Sequence, residues 1–281
     1  MLTILRVWRL VVLLTVTVAL APIQLAAVLL KLPAQRQIPV LFHRFVARVL
    51  RVAIDVRGAP STERPTLFSA NHASWLDIVV LSAIVPVSFV AKSEIARWPG
   101  FSMLAKLQRS VFIERRRGKA REGVSEIQAR LSTGEDLVLF AEGTSGDGNS
   151  VAPFKSAMFS AAEIDVGAGR KPVVQPVSLA YTQLDGFPLG RRSRHRLTWY
   201  GKMSLPSHLW GVLGQGHARV VVQFHTPVRA SDFASRKELA AHCQRVVTEG
   251  HSRAISGRLD APSRAPAARV AAQAEALPPP A

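Results

Sequence analysis

From Ala53 onward, short runs rich in β-branched and aromatic residues alternate with segments of helical periodicity. This alternation is typical of an α/β domain, in which helices cover a β-sheet. The predicted strands are Val52–Arg57, Thr66–Ala70, Val87–Ala91, Ser110–Glu114, Leu137–Ala141, Val173–Ala180, Arg196–Tyr200 and Val220–His225. The predicted helices are Leu76–Val85, Phe101–Lys106, Ala120–Ser132, Lys155–Val166, Ser207–Leu213 and Lys237–His251. A chain of 281 residues suits one large domain with appendages.

The segment from Leu10 to Leu30 is apolar apart from two threonines and Gln24. As a helix it is long enough to cross a hydrocarbon core of about 30 Å. Pro22 lies in the middle, where a kink would make the segment tilted or re-entrant. A cleaved signal peptide is the alternative, but Pro22 and the apolar sequence beyond it disfavour cleavage there. We therefore expect a membrane anchor over residues 1–36, with an orientation that stays open because cations flank both ends.

A second segment, Val40–Val52, has the pattern of a basic amphipathic helix. One side carries His43, Arg44, Arg48 and Arg51, and the rest carries Leu41, Phe42, Phe45, Val49 and Val52. This pattern favours a helix in the membrane interface over residues 37–56, with an ordinary surface helix packed on the domain as the alternative. The main domain is expected over residues 57–256. The Ala- and Pro-rich residues 257–281 cannot build a core, so we expect a disordered tail.

The formal net charge of +17 calls for an anionic partner. Cations such as Arg6, Arg9 and Lys31 bracket apolar sequence, which favours a membrane surface. No nucleic-acid-binding motif is recognisable, so nucleic acid is not the expected partner. The single cysteine, Cys243, excludes an intramolecular disulfide and is expected to pack as a small hydrophobe.

A histidine and an aspartate, His72 and Asp77, lie five positions apart where a predicted strand gives way to an apolar helix. A base held by a carboxylate at such a turn suits acyl or phosphoryl transfer. The alternative is structural, because Ser74 and Asp77 also match a capping box at the start of the helix. The two interpretations are evenly balanced on this motif alone.

Two further segments follow predicted strands. The first, Phe112 to Arg115, would place an arginine just beyond a buried strand, where its guanidinium can bind a phosphate or carboxylate. The second runs from Phe140 to Asn149, and its glycines allow a tight turn with exposed backbone amides. Its Asp-Gly-Asn run lacks the remaining spacing of a calcium loop, so no metal is expected.

The four segments occur in a fixed order: His72-x4-Asp77, Phe112 to Arg115, Phe140 to Thr144, and Val174 to Val177. Together they resemble the four-motif set of the glycerolipid acyltransferase family, which includes bacterial 1-acylglycerol-3-phosphate acyltransferases. The resemblance covers roughly residues 53–227. It implies a single α/β domain with a mixed sheet flanked by helices and preceded by an N-terminal membrane helix.

The resemblance also implies roles for individual residues. His72 would be the general base that deprotonates the acceptor hydroxyl, and Asp77 would orient its imidazole. Arg115 would bind the acceptor head group. The other implied substrate-binding residues are Lys92, Phe112, Glu142, Gly143, Thr144 and Pro176, of which Pro176 would line the acyl channel and a backbone amide near Gly143 would stabilise the oxyanion.

The third motif departs from the family pattern Pro-Glu-Gly-Thr-Arg, because Ala141 replaces the proline and Ser145 the arginine. In the family that arginine is expected to contact the acceptor's phosphate. Its loss leaves Arg115, Arg116 and Lys92 as phosphate ligands, or indicates an acceptor without phosphate. The surrounding sequence resembles a branch with lyso-ornithine lipid acyltransferases, whose acceptor has a carboxylate and an amine. Lysophosphatidate remains narrowly favoured, because the family as a whole favours it.

The resemblance implies an acyl-carrier-protein or coenzyme A thioester as the acyl donor, a lysolipid acceptor and no cofactor. Either donor is anionic, so a basic surface such as Arg191 to Arg196 would steer it to a membrane-held site. The expected location is the inner (cytoplasmic) membrane, with the catalytic domain facing the cytoplasm. The alternative of another class is a non-enzymatic protein that binds anionic lipid through the same cations.

Overall fold

The computed structural model describes residues 1–98, 100–113, 120–167 and 169–259. Its helices are α1 (Leu2–Leu29), α2 (Ala34–Val49), α3 (Leu76–Ile84), α4 (Phe101–Leu107), α5 (Ala120–Ser132), α6 (Leu205–Leu213) and α7 (Arg236–Ile255). Its strands are β1 (Val52–Arg57), β2 (Thr66–Ala70), β3 (Ser88–Lys92), β4 (Val111–Ile113), β5 (Leu137–Phe140), β6 (Val173–Leu184), β7 (Phe187–Pro188), β8 (Ala218–Phe224) and β9 (Val228–Arg229).

The strands form one mixed sheet in the order β1-β8-β6-β2-β5-β3-β4, with β7 and β9 also pairing with β6. β2 lies near the middle and is parallel to both neighbours, β5 and β6. β8 runs antiparallel to β6 and makes the sheet mixed. The sheet and its helices confirm the predicted α/β fold.

Helices cover both faces of the sheet. Successive side chains of a central strand point to opposite faces, so they pack into two different cores. Leu67 packs into one core with α5 and α7, whereas the next residue, Phe68, packs into the other core with α2 and α3. Strands buried on both faces are largely apolar; β5 is apolar throughout, and β2 has the small polar residues Thr66 and Ser69 buried among its apolar ones. Cys243 is buried in the α5–α7 core, as expected of a small hydrophobe.

The predicted strand Arg196–Tyr200 is wrong. The segment instead begins as a short 3₁₀ helix, Arg194–Arg196, and continues without regular structure. Its hydrogen bonds go to loops: the Trp199 amide donates to the Ala73 carbonyl at 2.8 Å, and the Thr198 hydroxyl donates to the Asp147 carbonyl at 3.2 Å. The predicted helix Lys155–Val166 is a 3₁₀ helix over Ser156–Glu163.

α1 packs on the domain through two buried polar side chains. Arg9 Nη1 donates to the carbonyls of Leu213 and Gln215 at 2.9 and 2.8 Å, beyond the end of α6. Gln24 Nε2 donates to the Gln35 and Leu107 carbonyls at 3.0 and 2.8 Å. Arg9 is therefore buried against the domain and does not face outward as the sequence suggested. Its donors instead satisfy carbonyls that the end of α6 leaves open.

The outward side of α1 remains apolar and exposed, with Ile4, Val18 and Leu29 each more than two-thirds exposed. Among the described residues, α1 meets the length and hydropathy of a membrane-crossing helix. These properties alone are weak evidence for membrane association, since buried core helices and signal sequences share them.

α2 uses its apolar side to pack on the domain. Val40, Val46 and Ala47 are buried, while Leu41, Arg44 and Arg48 are exposed. Arg44 Nε donates to the Ala83 carbonyl at the end of α3, at 2.8 Å. This packing agrees with the alternative of a surface helix on the domain. The predicted tail lies almost wholly outside the described residues.

Candidate active site

The candidate site lies at the carboxyl end of β2, in the turn from Asn71 to Trp75 that leads into α3. β5 is parallel to β2 and ends beside it, so the loop after Phe140 meets this turn at the same edge of the sheet. Ligands of α/β sheets commonly bind outside the carboxyl ends of the strands. The Gly146 amide donates to the His72 carbonyl at 2.9 Å, which joins the two loops directly.

The structure brings His72 and Asp77 together, with 2.8 Å between His72 Nδ1 and Asp77 Oδ2. Asp77 is fully buried and the His72 side chain is 17% exposed. A carboxylate can only accept, so the proton lies on Nδ1 and the Nε2 lone pair is left as a base. The imidazole is also stacked on Phe140, with ring centroids 3.9 Å apart. The pair therefore has the orientation that general-base chemistry requires.

The capping interpretation is correct in part. Asp77 Oδ2 accepts from the amides of Ala73 and Ser74 at 2.7 and 2.9 Å, so the carboxylate does bind the turn before α3. The Ser74 hydroxyl is buried and makes no hydrogen bond to α3 within the described residues. One oxygen of Asp77 thus serves the helix start and His72 together.

Glu142, which the resemblance implies as a substrate-binding residue, binds the backbone of the turn. Its Oε1 accepts from the His72 amide at 2.8 Å and its Oε2 from the Ala152 amide at 2.9 Å. Burial raises the pKa of Glu142 to about 7, and the two amides oppose this rise. Gly143 has φ 76, a left-handed backbone conformation that favours glycine at this turn.

The other predicted site residues are spread more widely. Thr144 is exposed beside Gly143. Lys92 ends β3 and forms an exposed ion pair with Glu94 at 2.8 Å. Phe112 is half-buried on β4, paired with β3. Pro176 is buried in β6 opposite Ser69 of β2, near the end of that strand. Arg115 and Arg116 lie outside the described residues.

Two residues of the site, Asn71 and Tyr181, were not predicted as site residues from the sequence. The Tyr181 hydroxyl donates to Asp77 Oδ1 at 2.7 Å. Asn71 binds the backbone of Leu179 in both directions, donating to its carbonyl at 3.0 Å and accepting from its amide at 2.8 Å. Both contacts join residues more than a hundred positions apart, so no local spacing could reveal them. No cluster of three His, Cys, Asp or Glu side chains suited to a metal is found among the described residues.

Arg194, predicted as part of a donor-steering surface, is buried against the loop after β5. Its Nη1 donates to Asn149 Oδ1 at 2.6 Å, and its Nη2 donates to the Leu189 carbonyl at 2.7 Å. Its Nε lies 3.4 Å from the Tyr181 carbonyl. Arg191, Arg192 and Arg196 are exposed and remain available for an anionic partner.

Replacing Arg194 by methionine is expected to destabilise the protein by about 2–4 kcal/mol, because buried acceptors lose their donors. Thermal unfolding measures the effect. Arg192→Met is the matched control, since an exposed side chain should change stability by no more than about 0.5 kcal/mol. Equal effects of the two substitutions would contradict an anchoring role for Arg194.

A buried carboxylate that contacts a histidine at the end of a central strand of an α/β sheet suits general-base chemistry, and comparison with known proteins identifies the class of protein. The family model described as Acyltransferase matches residues 53–180. A lyso-ornithine lipid O-acyltransferase of Brucella abortus is 45% identical over 245 residues, covering 86% of this chain and 92% of that protein. The chain therefore belongs to the acyltransferase family and is an acyltransferase. This result excludes the alternative of a non-enzymatic protein that only binds anionic lipid.

Other relatives carry two kinds of name. A lyso-ornithine lipid O-acyltransferase of Rhizobium meliloti is 39% identical, over 90% of this chain and 86% of that protein. A 1-acyl-sn-glycerol-3-phosphate acyltransferase of Neisseria meningitidis is 33% identical, over 70% of this chain and 73% of that protein. The crystal structure of the acyltransferase PlsC from Thermotoga maritima covers 94% of this chain and all of that chain, with a TM-score of 0.62 and 20% identity. At that identity the match supports the fold alone.

Proposed function

We propose that this protein transfers a fatty acyl group from a thioester donor to the hydroxyl of a lysolipid, and that the lysolipid is lyso-ornithine lipid. The observation that carries the reaction is the 2.8 Å hydrogen bond between His72 Nδ1 and the buried carboxylate of Asp77. This arrangement leaves Nε2 to take the proton of the acceptor hydroxyl.

The reaction then proceeds in two steps, the formation and the collapse of a tetrahedral intermediate. As His72 Nε2 takes the proton, the acceptor oxygen forms a C–O bond to the thioester carbonyl carbon. Asp77 stabilises the resulting imidazolium, and a backbone amide of the Glu142–Thr144 turn stabilises the oxyanion. The tetrahedral intermediate collapses with cleavage of the C–S bond. The proton passes from His72 to the departing sulfur, which regenerates the neutral base.

Two observations support lyso-ornithine lipid over the narrowly favoured lysophosphatidate. The relatives named for lyso-ornithine lipid in Brucella and Rhizobium are 45% and 39% identical, whereas the Neisseria relative named for 1-acylglycerol-3-phosphate is 33% identical. In addition, Ser145 stands where the family carries an arginine expected to contact phosphate. An acceptor with a carboxylate and an amine does not need that phosphate ligand.

Charge supports an anionic donor, and α1 supports the proposed location. Exposed arginines such as Arg191, Arg192 and Arg196 suit an anionic donor, either acyl-carrier protein or coenzyme A. The exposed apolar side of α1 suits a cytoplasmic-membrane protein, and we propose that its catalytic domain faces the cytoplasm. The helix is compatible with a spanning or a re-entrant position.

The test is an acceptor assay on the membrane-bound protein, with lyso-ornithine lipid and lysophosphatidate each supplied with acyl-carrier-protein and coenzyme A thioesters. We expect kcat/KM to be at least about 10-fold higher for lyso-ornithine lipid, the discrimination of one or two polar contacts. A preference for lysophosphatidate would overturn the acceptor assignment. Transfer to neither would overturn the proposed function.

The variant Ser145→Arg sharpens the same test. Restoring the arginine should raise kcat/KM for lysophosphatidate by about 10-fold or more, because a charge-assisted hydrogen bond contributes about 1.5–3 kcal/mol. Ser150→Arg adds the same charge at an exposed position of the same loop and is the matched control. An equal gain from both variants would indicate a general effect of positive charge.

A further inference from the structure

We propose that Tyr181 is a positioning residue for the reaction, one that holds Asp77 in place so that His72 faces the acceptor. The inference rests on the proposed function, since it assigns a third member to the His72–Asp77 pair. Tyr181 belongs to β6 and reaches the pair from the neighbouring strand.

The geometry divides the two oxygens of the Asp77 carboxylate between different tasks. Oδ2 accepts from His72 Nδ1 and from the Ala73 and Ser74 amides. Oδ1 accepts from the Tyr181 hydroxyl at 2.7 Å. With both oxygens bound, the carboxylate cannot rotate without losing hydrogen bonds, so the oxygen that faces His72 is fixed.

The position of Tyr181 relative to the catalytic turn is itself fixed. Asn71, the residue before His72, binds the amide and the carbonyl of Leu179 with its side chain. Leu179 lies two residues before Tyr181 and on the same face of β6, because side chains alternate along a strand. The turn and the tyrosine therefore hold a common register across β2 and β6.

The Tyr181 hydroxyl also stabilises the buried negative charge of Asp77. Asp77 is fully buried, and a buried carboxylate stays ionised only if hydrogen bonds replace the lost water. Tyr181 is 1% exposed, and burial, with the charge of Asp77, raises the pKa of its hydroxyl well above the usual value. Tyr181 thus remains a donor at every working pH and stabilises the charge that His72 needs.

The experiment compares Tyr181→Phe with Tyr200→Phe in the full-length protein. Tyr200 is the chain's other tyrosine and is half-buried, so it controls for loss of a phenol hydroxyl. We expect Tyr181→Phe to lower kcat by about 10- to 100-fold, the value of a hydrogen bond to a charged group, with acceptor KM changed less than about twofold. Tyr200→Phe should keep wild-type kinetics.

The pH profile supplies a readout that simple packing would not move. In Tyr181→Phe, no hydroxyl donates to the Asp77 carboxylate, so the carboxylate attracts the protonated, inactive form of His72 more strongly. The acid limb of the kcat profile should therefore move to higher pH. An unchanged kcat and an unmoved limb in Tyr181→Phe would overturn the proposal.

A double-mutant cycle separates positioning from structural support. If Tyr181 acts through Asp77, Tyr181→Phe should cost little more once Asp77→Asn is already present. A full, independent loss in that background, or a loss matched by a lower folded fraction in thermal unfolding, would overturn the proposal. Failure of the proposed function is distinct, because the wild-type protein would then acylate no lysolipid.

Discussion

Replacing His72 by alanine is expected to lower kcat for acyl transfer by about 10²–10⁴-fold, the usual loss when a general base is removed. The Nδ1 atom of His72 is held by Asp77, and the partly exposed ring leaves Nε2 available to the acceptor. Among the described residues, no other histidine has a hydrogen bond from a ring nitrogen to a fully buried carboxylate. The measurement is kcat with saturating lysolipid and thioester.

The control for this variant is His195→Ala. His195 is exposed and its Nδ1 contacts only the Arg192 carbonyl, at 2.8 Å, so its removal should leave kcat within about twofold of wild type. The His72 variant should remain folded, since its ring makes one stacking contact, with Phe140, outside the pair. If His72→Ala kept more than a tenth of the activity, the base would lie elsewhere.

The sequence predicted the parts of the fold that depend on local pattern. The central strands are largely apolar because they are buried on both faces, and the predicted bounds agree with the structure to within a residue for β2, β3 and β5. β6 runs four residues beyond the predicted Ala180, because its pairing with β8 continues to Leu184. That extension depends on a partner strand that local sequence does not reveal.

The errors share one physical origin, which is burial of polar groups by distant segments. Arg194 reads as a solvated cation in a basic run, yet it is buried because the loop at Asn149 offers acceptors. Arg9 and Gln24 read as parts of an apolar anchor, yet both satisfy carbonyls at the ends of other helices. Residue type and spacing cannot show which backbone groups another segment leaves unsatisfied.

The candidate site was predictable to the same extent. His72 and Asp77 share a single turn, so their spacing in sequence reports their distance in space. Glu142 was predicted by the motif, but its hydrogen bonds to the His72 and Ala152 amides follow only from the meeting of two loops. Tyr181 lies 104 positions from Asp77 and required the sheet order to be known.

The second large effect is expected from Asp77→Asn, which should lower kcat by about 10³–10⁴-fold, as the same change does in the Ser-His-Asp triad. Asparagine has nearly the shape of aspartate, and its carbonyl oxygen can still accept from the Ala73 and Ser74 amides. The substitution removes the negative charge of Asp77. That charge stabilises the protonated imidazole of His72, and in the neutral ring it favours the tautomer whose proton is on Nδ1. The expected loss is therefore one of catalysis, with stability changed by no more than about 2 kcal/mol.

Asp77→Ala is the contrasting variant, because it leaves the two turn amides and the Tyr181 hydroxyl without an acceptor. Each unsatisfied buried group costs about 1–3 kcal/mol, so we expect the free energy of unfolding to fall by several kcal/mol. Measuring kcat and thermal unfolding for both variants separates charge from structure. The comparison also decides between the dyad and the helix cap. Asparagine is as good a capping residue as aspartate, so a carboxylate that only capped α3 would tolerate the change with activity intact. A near-complete loss of acyl transfer in a stable Asp77→Asn protein is expected only if the negative charge of Asp77 supports His72 as the general base.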